Sequence, residues 1–250
     1  MRFFLEITYK GTAYHGWQIQ KNAVSVQEVL NKTLSKVLGE KVETIGSGRT
    51  DTGVHALQQF VHLDSEKDLG EETYLYKFNR MLPLDISIQA IHTVTDEANA
   101  RFDAISRNYE YRINSVKDPF LQDLCYFYFK EVDVEKMNLA ADILLKKHNF
   151  ESFSKVKTEV NHFLCNITRA EWVRKNEKLT FFVSADRFLR GMVRTLVGTL
   201  LNVGLHRISV NDFEEIIESK DRKKAGRAAP AQGLFYTKVI FPDHIFLNKK

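Results

Sequence analysis

The chain has 250 residues, of which 44% are hydrophobic and 12% aromatic, which is enough for a sizeable core of one or two domains. Its 36 basic and 32 acidic residues give a formal net charge of +4, which permits nucleic-acid binding without requiring it. The composition excludes an intrinsically disordered chain.

Cysteine usage and apolar runs bear on the compartment. Cys125 and Cys165 lie far apart and form no CxxC or Cys/His pattern, so neither a disulfide framework nor a zinc site is indicated. Residues 1–6 lack the long apolar core and cleavage site of a secretion signal, and no run approaches the length of a membrane span. We therefore expect a soluble cytoplasmic protein without a membrane partner.

The first half of the chain predicts the order strand, helix, strand, strand, helix, strand. Ser25 and Glu28 form a capping box at the start of the first helix, and Gly39 ends it. The second helix is expected over residues 71–81, and the strands over 3–9, 41–45, 57–63 and 86–94. This order is typical of an α+β unit with helices on one side of a mainly antiparallel sheet.

The second half has a comparable mix of elements after a crossing at residues 98–106. A strand over 107–113 puts Arg107, Tyr109 and Tyr111 on one face. A helix begins near Asp133, and another begins at Ser209, which is capped with Asp212 at its third position. A hairpin is expected over residues 169–185, a helix over 188–205 and a last strand over 235–241.

These patterns predict an α+β fold with two ferredoxin- or RRM-like subdomains, residues 1–105 and residues 106–250. The subdomains are expected to share a mainly antiparallel sheet, with helices on the outer face and an active-site cleft between them. The first subdomain would carry the loop that is the main candidate for a functional site.

That loop, residues 46–56, places Arg49, Asp51 and His55 among three glycines between two predicted strands. Glycines let the backbone take positive φ and approach a ligand, while the flanking strands hold the side chains at a rigid sheet end. A polar β-turn is the alternative for such a cluster. The acid in a glycine-bounded loop, two residues after an arginine, favours a functional site.

The helix over residues 188–205 has an apolar stripe bordered by Arg190, Gly191, Arg194 and Gly198, and the glycines permit close approach of a neighbouring backbone. Arg194 either extends to solvent past the stripe or is a partly buried cation that needs a carboxylate partner. Asp51 is the candidate for that partner.

Several chemistries are disfavoured for Asp51. The string Asp51-Thr52-Gly53 matches aspartic proteases, but their mechanism needs two carboxylates, and Arg49 would keep this one ionised. A metal site lacks further ligands at usable spacing, and there is no glycine-rich nucleotide loop. Tyrosine faces stack on bases and arginines contact phosphates, so a flipped nucleotide fits this set, with Asp51 as a nucleophile.

Residues 48–56, Gly-Arg-Thr-Asp-Thr-Gly-Val-His-Ala, resemble the catalytic motif of the TruA family of tRNA pseudouridine synthases. Four further segments resemble the family in the same order: residues 14–18, 107–111, 188–194 and 228–234. Together they cover the chain almost end to end. The chain departs from the family at Thr52, where Ala is common, and over residues 155–163, which leaves RNA contacts there open.

The resemblance implies isomerisation of uridine to pseudouridine in the anticodon stem-loop, at tRNA positions 38 to 40, without a cofactor or metal. It also implies a homodimer in which one tRNA touches both subunits. By position, Asp51 is the nucleophile, Arg194 is its ion-pair partner, and Tyr109 packs on the base and acts in proton transfer.

The resemblance also assigns tRNA-binding side chains. Arg49 would help to extrude the nucleotide and hold its phosphate, and Arg107 and Arg190 would contact the tRNA. Tyr111 and Trp17 are expected to pack in the core, and His55 to bond the loop backbone. A non-catalytic RNA-binding protein that uses the same cleft is the alternative function.

Overall fold

The computed structural model describes residues 1–70, 72–156 and 161–247, and it has the α+β composition expected from the sequence. The helices are α1 (Val26–Leu38), α2 (Glu72–Met81), α3 (Val134–Leu144), α4 (Met192–Gly204) and α5 (Val210–Glu218). The strands are β1 (Arg2–Tyr9), β2 (Ile45–Gly46), β3 (His55–Asp64), β4 (Ile86–Val94), β5 (Ser106–Asn114), β6 (Tyr126–Phe127), β7 (Ile167–Lys175), β8 (Lys178–Ala185) and β9 (Leu234–Ile240).

The chain forms two compact units, one of Met1–Ser106 with Tyr236–Lys250 and one of Arg107–Phe235. The expected second subdomain, residues 106–250, is corrected by this division, because the C-terminal segment belongs with the first unit. Phe241 is one reason why the C-terminal segment packs with the first unit. Its ring lies edge-on against Phe4 and Phe60, with centroid separations of 5.2 Å in both pairs. Aromatic pairs of this geometry add stabilisation beyond the area they bury.

In the first unit, β1 pairs antiparallel with β3 on one side and with β4 on the other, and β9 follows beyond β3. Phe3, Phe4 and Leu5 are fully buried, so both faces of β1 are covered. A strand covered on both faces has a near-continuous apolar sequence rather than an alternating one. Helices α1 and α2 pack against each other, and α2 packs against β4.

The strand predicted over residues 41–45 is wrong except at its last residue, where the two-residue β2 begins. Side chains of α1 bind the backbone of this segment instead. Ser35 Oγ accepts from Val42 N–H, and Asn31 Oδ1 accepts from Thr44 N–H. These tertiary contacts satisfy the groups that a strand ladder would have used.

In the second unit, β8 lies between β5 and β7 in antiparallel pairing, and β6 pairs parallel with β5. The predicted hairpin over residues 169–185 is confirmed as β7 and β8, and its turn contains Asn176 at a φ of 55°. Helix α3 packs against β7, α4 and α5.

Helix ends follow the predicted caps at most positions. Ser25 accepts from Glu28 N–H, and Ser209 and Asp212 form a reciprocal capping box. Helix α4, predicted from residue 188, begins only at Met192, because Gly191 has a φ of 71° and stands at its N-cap. The predicted start of α2 at residue 71 lies outside the described residues.

Within the described ranges, no helix is long and apolar enough to cross a membrane.

Candidate active site

The loop between β2 and β3 presents Asp51 half-buried and Arg49 exposed. Its turn is closed by Val54 N–H, which donates to the Asp51 carbonyl over 3.1 Å. Gly53 adopts a φ of 78°, a backbone conformation that residues with a side chain rarely adopt. The expected combination of a glycine turn with a strand directly after it is therefore present around Asp51.

A second loop, residues 10–18, supports this turn from behind. Trp17 N–H donates to the Thr50 carbonyl, and Gly53 N–H donates to the Tyr14 carbonyl, each over 3.2 Å. Gly16 has a φ of 84°, and a Cβ there would stand 2.4 Å from the Thr50 carbonyl oxygen. The two loops can approach this closely only because residue 16 has no side chain.

Tyr14 is itself anchored at the far side of this second loop. Its hydroxyl donates to Asp85 Oδ1 over 2.6 Å, and the Asp85 carbonyl accepts from Lys10 N–H. Burial raises the pKa of the Tyr14 hydroxyl, and the bond to the carboxylate raises it further. The tyrosine therefore keeps its proton and stays a donor to Asp85.

His55 and Trp17 have the structural roles expected of them. His55 is 1% exposed, and its Nδ1 accepts from Gly11 N–H over 3.1 Å, so the imidazole bonds the backbone of the supporting loop. Trp17 is also 1% exposed and stacks on Tyr9 with a centroid separation of 6.5 Å.

Sequence reasoning missed Tyr9 and Gln59, which lie beneath the Asp51 loop. Gln59 is fully buried on β3, and its Nε2 donates to the Gly48 carbonyl over 3.1 Å. Tyr9 lies at the end of β1 and bonds both Gln59 and Thr50. The one signal available in the sequence was Gln59 at an inward position of the predicted strand over residues 57–63. A buried amide needs hydrogen-bond partners, so this position pointed to a polar contact inside the protein.

In the second unit, Tyr109 lies on β5 opposite Val183 and is 7% exposed. Its ring meets Phe188 edge-on with a centroid separation of 5.1 Å. Arg107 lies two residues earlier on the same strand and donates to the Asp186 carbonyl. The predicted alternation of β5 therefore brings Tyr109 to the segment that leads into α4.

Arg194 is half-buried on the first turn of α4. Its Nε donates to the Ala229 carbonyl over 2.7 Å, and Ala229 N–H donates back to the Arg194 carbonyl over 2.9 Å. One turn later, a Cβ at Gly198 would stand 1.8 Å from the Arg227 carbonyl oxygen. The close backbone approach expected from these small residues is confirmed, and it fixes the stem of Arg194.

Arg190 and Tyr111 complete the predicted set in this unit. Arg190 is exposed just before Gly191, and its carbonyl accepts from Lys155 N–H. Tyr111 is fully buried, as expected of a core residue, and its hydroxyl donates to the Pro230 carbonyl over 2.8 Å. Burial raises the pKa of Tyr111, so it stays protonated.

The candidate residues therefore fall into two groups, Arg49 with Asp51 in the first unit, and Arg107, Tyr109, Arg190 and Arg194 in the second. The pairing of Asp51 with Arg194 stays a prediction. The expectation about residues 155–163 concerns a segment of which 157–160 lie outside the described residues. Within the described ranges, no three His, Cys, Asp or Glu side chains are grouped so that they could hold a metal ion.

Comparison with known proteins gives the family. The family profile described as tRNA pseudouridine synthase matches residues 7–103 and 140–242. The tRNA pseudouridine synthase A of Bacteroides thetaiotaomicron is 46% identical over 248 residues, which cover 98% of this chain and 92% of that protein. The tRNA pseudouridine synthase A of Bacteroides fragilis is 47% identical over 98% of both chains, and that of Porphyromonas gingivalis is 44% identical over 98% of this chain and 99% of its own.

The family profile spans well over half of the chain, and these relatives are similar along nearly its whole length. The predicted resemblance is thereby confirmed. The chain belongs to the tRNA pseudouridine synthase family and is an isomerase that acts on tRNA.

Proposed function

We propose that this protein converts uridine to pseudouridine at positions 38 to 40 of tRNA, in the anticodon stem-loop, with Asp51 as the nucleophile. The reaction breaks the bond from ribose C1′ to uracil N1 and forms one from C1′ to C5. The C5 proton is lost and N1 gains one, so the composition of the nucleotide does not change. A carboxylate that attacks the uridine can start this exchange without a cofactor or metal.

The observation that carries the proposal is the setting of Asp51. The motif around it resembles the family's catalytic motif, and the loop is fixed by a closing turn and by the supporting loop behind it. A nucleophile held in one geometry by its surroundings loses little freedom when the substrate binds. The half-exposed position leaves the carboxylate within reach of a ligand.

Arg49 supports the substrate class. Its side chain is exposed two residues before Asp51, on a loop whose backbone is bonded on both sides of it. A uridine in a stem is stacked and paired, so the nucleotide must flip out before a protein carboxylate can reach it. Arg49 would hold the phosphate of the flipped nucleotide, as guanidinium groups commonly do.

Tyr109 and Arg194 would complete the site. The Tyr109 ring would pack on the flipped base and take part in proton transfer, while Phe188 supports it edge-on. Arg194 would pair with Asp51 and orient its carboxylate through the terminal amino groups of the guanidinium, because Nε is bonded to the Ala229 carbonyl. Arg107 and Arg190 would contact the tRNA backbone.

The proposal extends to the assembly. Each of the two units would be a ferredoxin- or RRM-like subdomain. The protein would act in the cytoplasm as a homodimer in which one tRNA touches both subunits. These features rest on the family resemblance.

The test is to treat transcribed tRNA that carries uridine at positions 38, 39 and 40 with the purified protein and to map pseudouridine at each position. Modification at one or more of these positions, and at no other uridine, is the expected result. Modification elsewhere in the tRNA would overturn the proposed site while leaving the family assignment intact. If the protein binds the transcript tightly but modifies none of its uridines, the alternative of a non-catalytic RNA-binding protein would be favoured.

A further inference from the structure

Buried polar groups form a chain of hydrogen bonds beneath the loop that carries Arg49 and Asp51. The Tyr9 hydroxyl donates to Gln59 Oε1 over 2.8 Å, and Gln59 Nε2 donates to the Gly48 carbonyl over 3.1 Å. The Tyr9 oxygen also lies 2.8 Å from Thr50 Oγ1. Gln59 is fully buried and Tyr9 is 4% exposed, so water does not compete for these bonds.

The donor and acceptor in each of these hydrogen bonds follow from counting protons. A tyrosine hydroxyl has one proton, and the amide oxygen of Gln59 can only accept, so the Tyr9 proton belongs to that bond. Thr50 must therefore donate its own hydroxyl proton to the Tyr9 oxygen. Burial raises the pKa of Tyr9, so this proton is retained across the physiological range.

The two ends of this hydrogen-bond network are the residues that flank Arg49. Thr50 is bound through its hydroxyl, and Gly48 through its carbonyl. The Thr50 carbonyl also accepts from Trp17 N–H over 3.2 Å. A buried donor or acceptor left without a partner costs more than the bond itself contributes. All of these groups are satisfied together only when the loop keeps this conformation around Arg49 and directly before Asp51.

We propose that Tyr9 and Gln59 are positioning residues for the isomerisation, which hold the loop of residues 48–51 so that it presents Arg49 and Asp51 to the tRNA. Both are buried, and their hydrogen bonds reach the loop at the Thr50 hydroxyl and the Gly48 carbonyl. The inference rests on the proposed roles of Arg49 and Asp51. A fully satisfied polar network specifies one geometry where apolar packing would tolerate several.

The first test compares Thr50→Ser with Thr50→Val, which differ in whether the hydroxyl donor is present. Single-turnover rates and tRNA dissociation constants are measured on folded protein. Thr50→Ser should stay within about threefold of the wild-type rate, and Thr50→Val should lose at least about tenfold, because small displacements of a catalytic group are costly. The dissociation constants should change much less than the rates, since tRNA affinity is the sum of many cation–phosphate contacts and Arg49 supplies one of them.

Tyr9→Phe and Gln59→Met extend the test to the other two side chains of the hydrogen-bond network. Each should lower the rate at least about tenfold, and the double variant should lose little more than either single variant, because residues of one network act together. If either protein fails to fold, the Thr50 pair still decides the matter. Equal rates for Thr50→Ser and Thr50→Val would overturn the proposal.

Ser152→Ala is the matched control. The Ser152 hydroxyl is fully buried and donates to the Ile216 carbonyl over 2.7 Å, at a site in the second unit. Its loss should lower stability but not the rate. A rate loss equal to that of Tyr9→Phe would also overturn the proposal. Wild-type protein run in parallel separates the two failures, because an inactive wild type contradicts the proposed function and not the positioning role.

Discussion

Gly16 lies so close to Thr50 that a Cβ at residue 16 would stand 2.4 Å from the Thr50 carbonyl oxygen. The contact joins the supporting loop of residues 10–18 to the loop of Asp51, next to the bond from Trp17 N–H to the same carbonyl. Real Cβ atoms do not approach a backbone oxygen so closely, so any other residue at 16 must displace one of the two loops.

Gly16→Ala should therefore lower both stability and activity. Its φ of 84° already disfavours a side chain by about 1 kcal/mol, and the clash adds to this cost. Gly39→Ala is the control, because Gly39 has a φ of 70° but a Cβ added there would meet nothing within 4 Å. Thermal unfolding and the single-turnover rate are measured for both. Equal rate losses in the two variants would contradict the specific effect at Gly16.

Replacing Asp51 by Asn should abolish pseudouridine formation and leave tRNA binding nearly unchanged. The amide keeps the size of the side chain but is not a nucleophile, so the product should fall below detection. Asp142→Asn is the control, since Asp142 is exposed on α3. Product is measured by pseudouridine mapping and binding by filter retention. Full activity of the Asp51 variant would rule out the proposed nucleophile.

The buried thiols should be unreactive in the native protein. Burial raises the pKa of Cys165 to about 12 and raises that of Cys125. A raised pKa lowers the fraction of thiolate, which is the reactive form. We expect no reaction with a disulfide reagent near pH 8, and two thiols per chain after denaturation. Native labelling at the rate of a free thiol would contradict the burial of these side chains.

Local signals in the sequence predicted local structure well. The capping box of Ser209 and Asp212 lies within four residues and needs no partner elsewhere, so the start of α5 was correct. The strand predicted at residues 41–45 was wrong because Asn31 and Ser35 of α1 bind that backbone. Nothing in the local pattern indicates which distant side chain will compete with a ladder.

The same limit applies to the candidate site. The glycine loop, Arg49 and Asp51 were found because they are contiguous, and Tyr109 because strand alternation placed it. Tyr9 and Gln59 were missed because they lie 50 residues apart in the sequence, and only the pairing of β1 with β3 brings them together. Arg194 was identified by its position beside an apolar stripe, but its bond to Ala229 required the fold.

Arg194 gives the sharpest test of the ion pair proposed for Asp51. Arg194→Ala should lose more activity than Arg194→Lys, because lysine keeps the positive charge that alanine removes. Arg194→Lys should still be less active than the wild type, since lysine lacks the planar guanidinium and the Nε bond to Ala229. Hydrogen bonds to charged groups contribute about 1.5–3 kcal/mol, so the rate of the alanine variant should fall about 10–150-fold. Arg174→Lys, at an exposed position on β7, is the control for the exchange itself. Rates are measured in single turnover with saturating protein, and equal rates for the lysine and alanine variants would refute the paired-ion role.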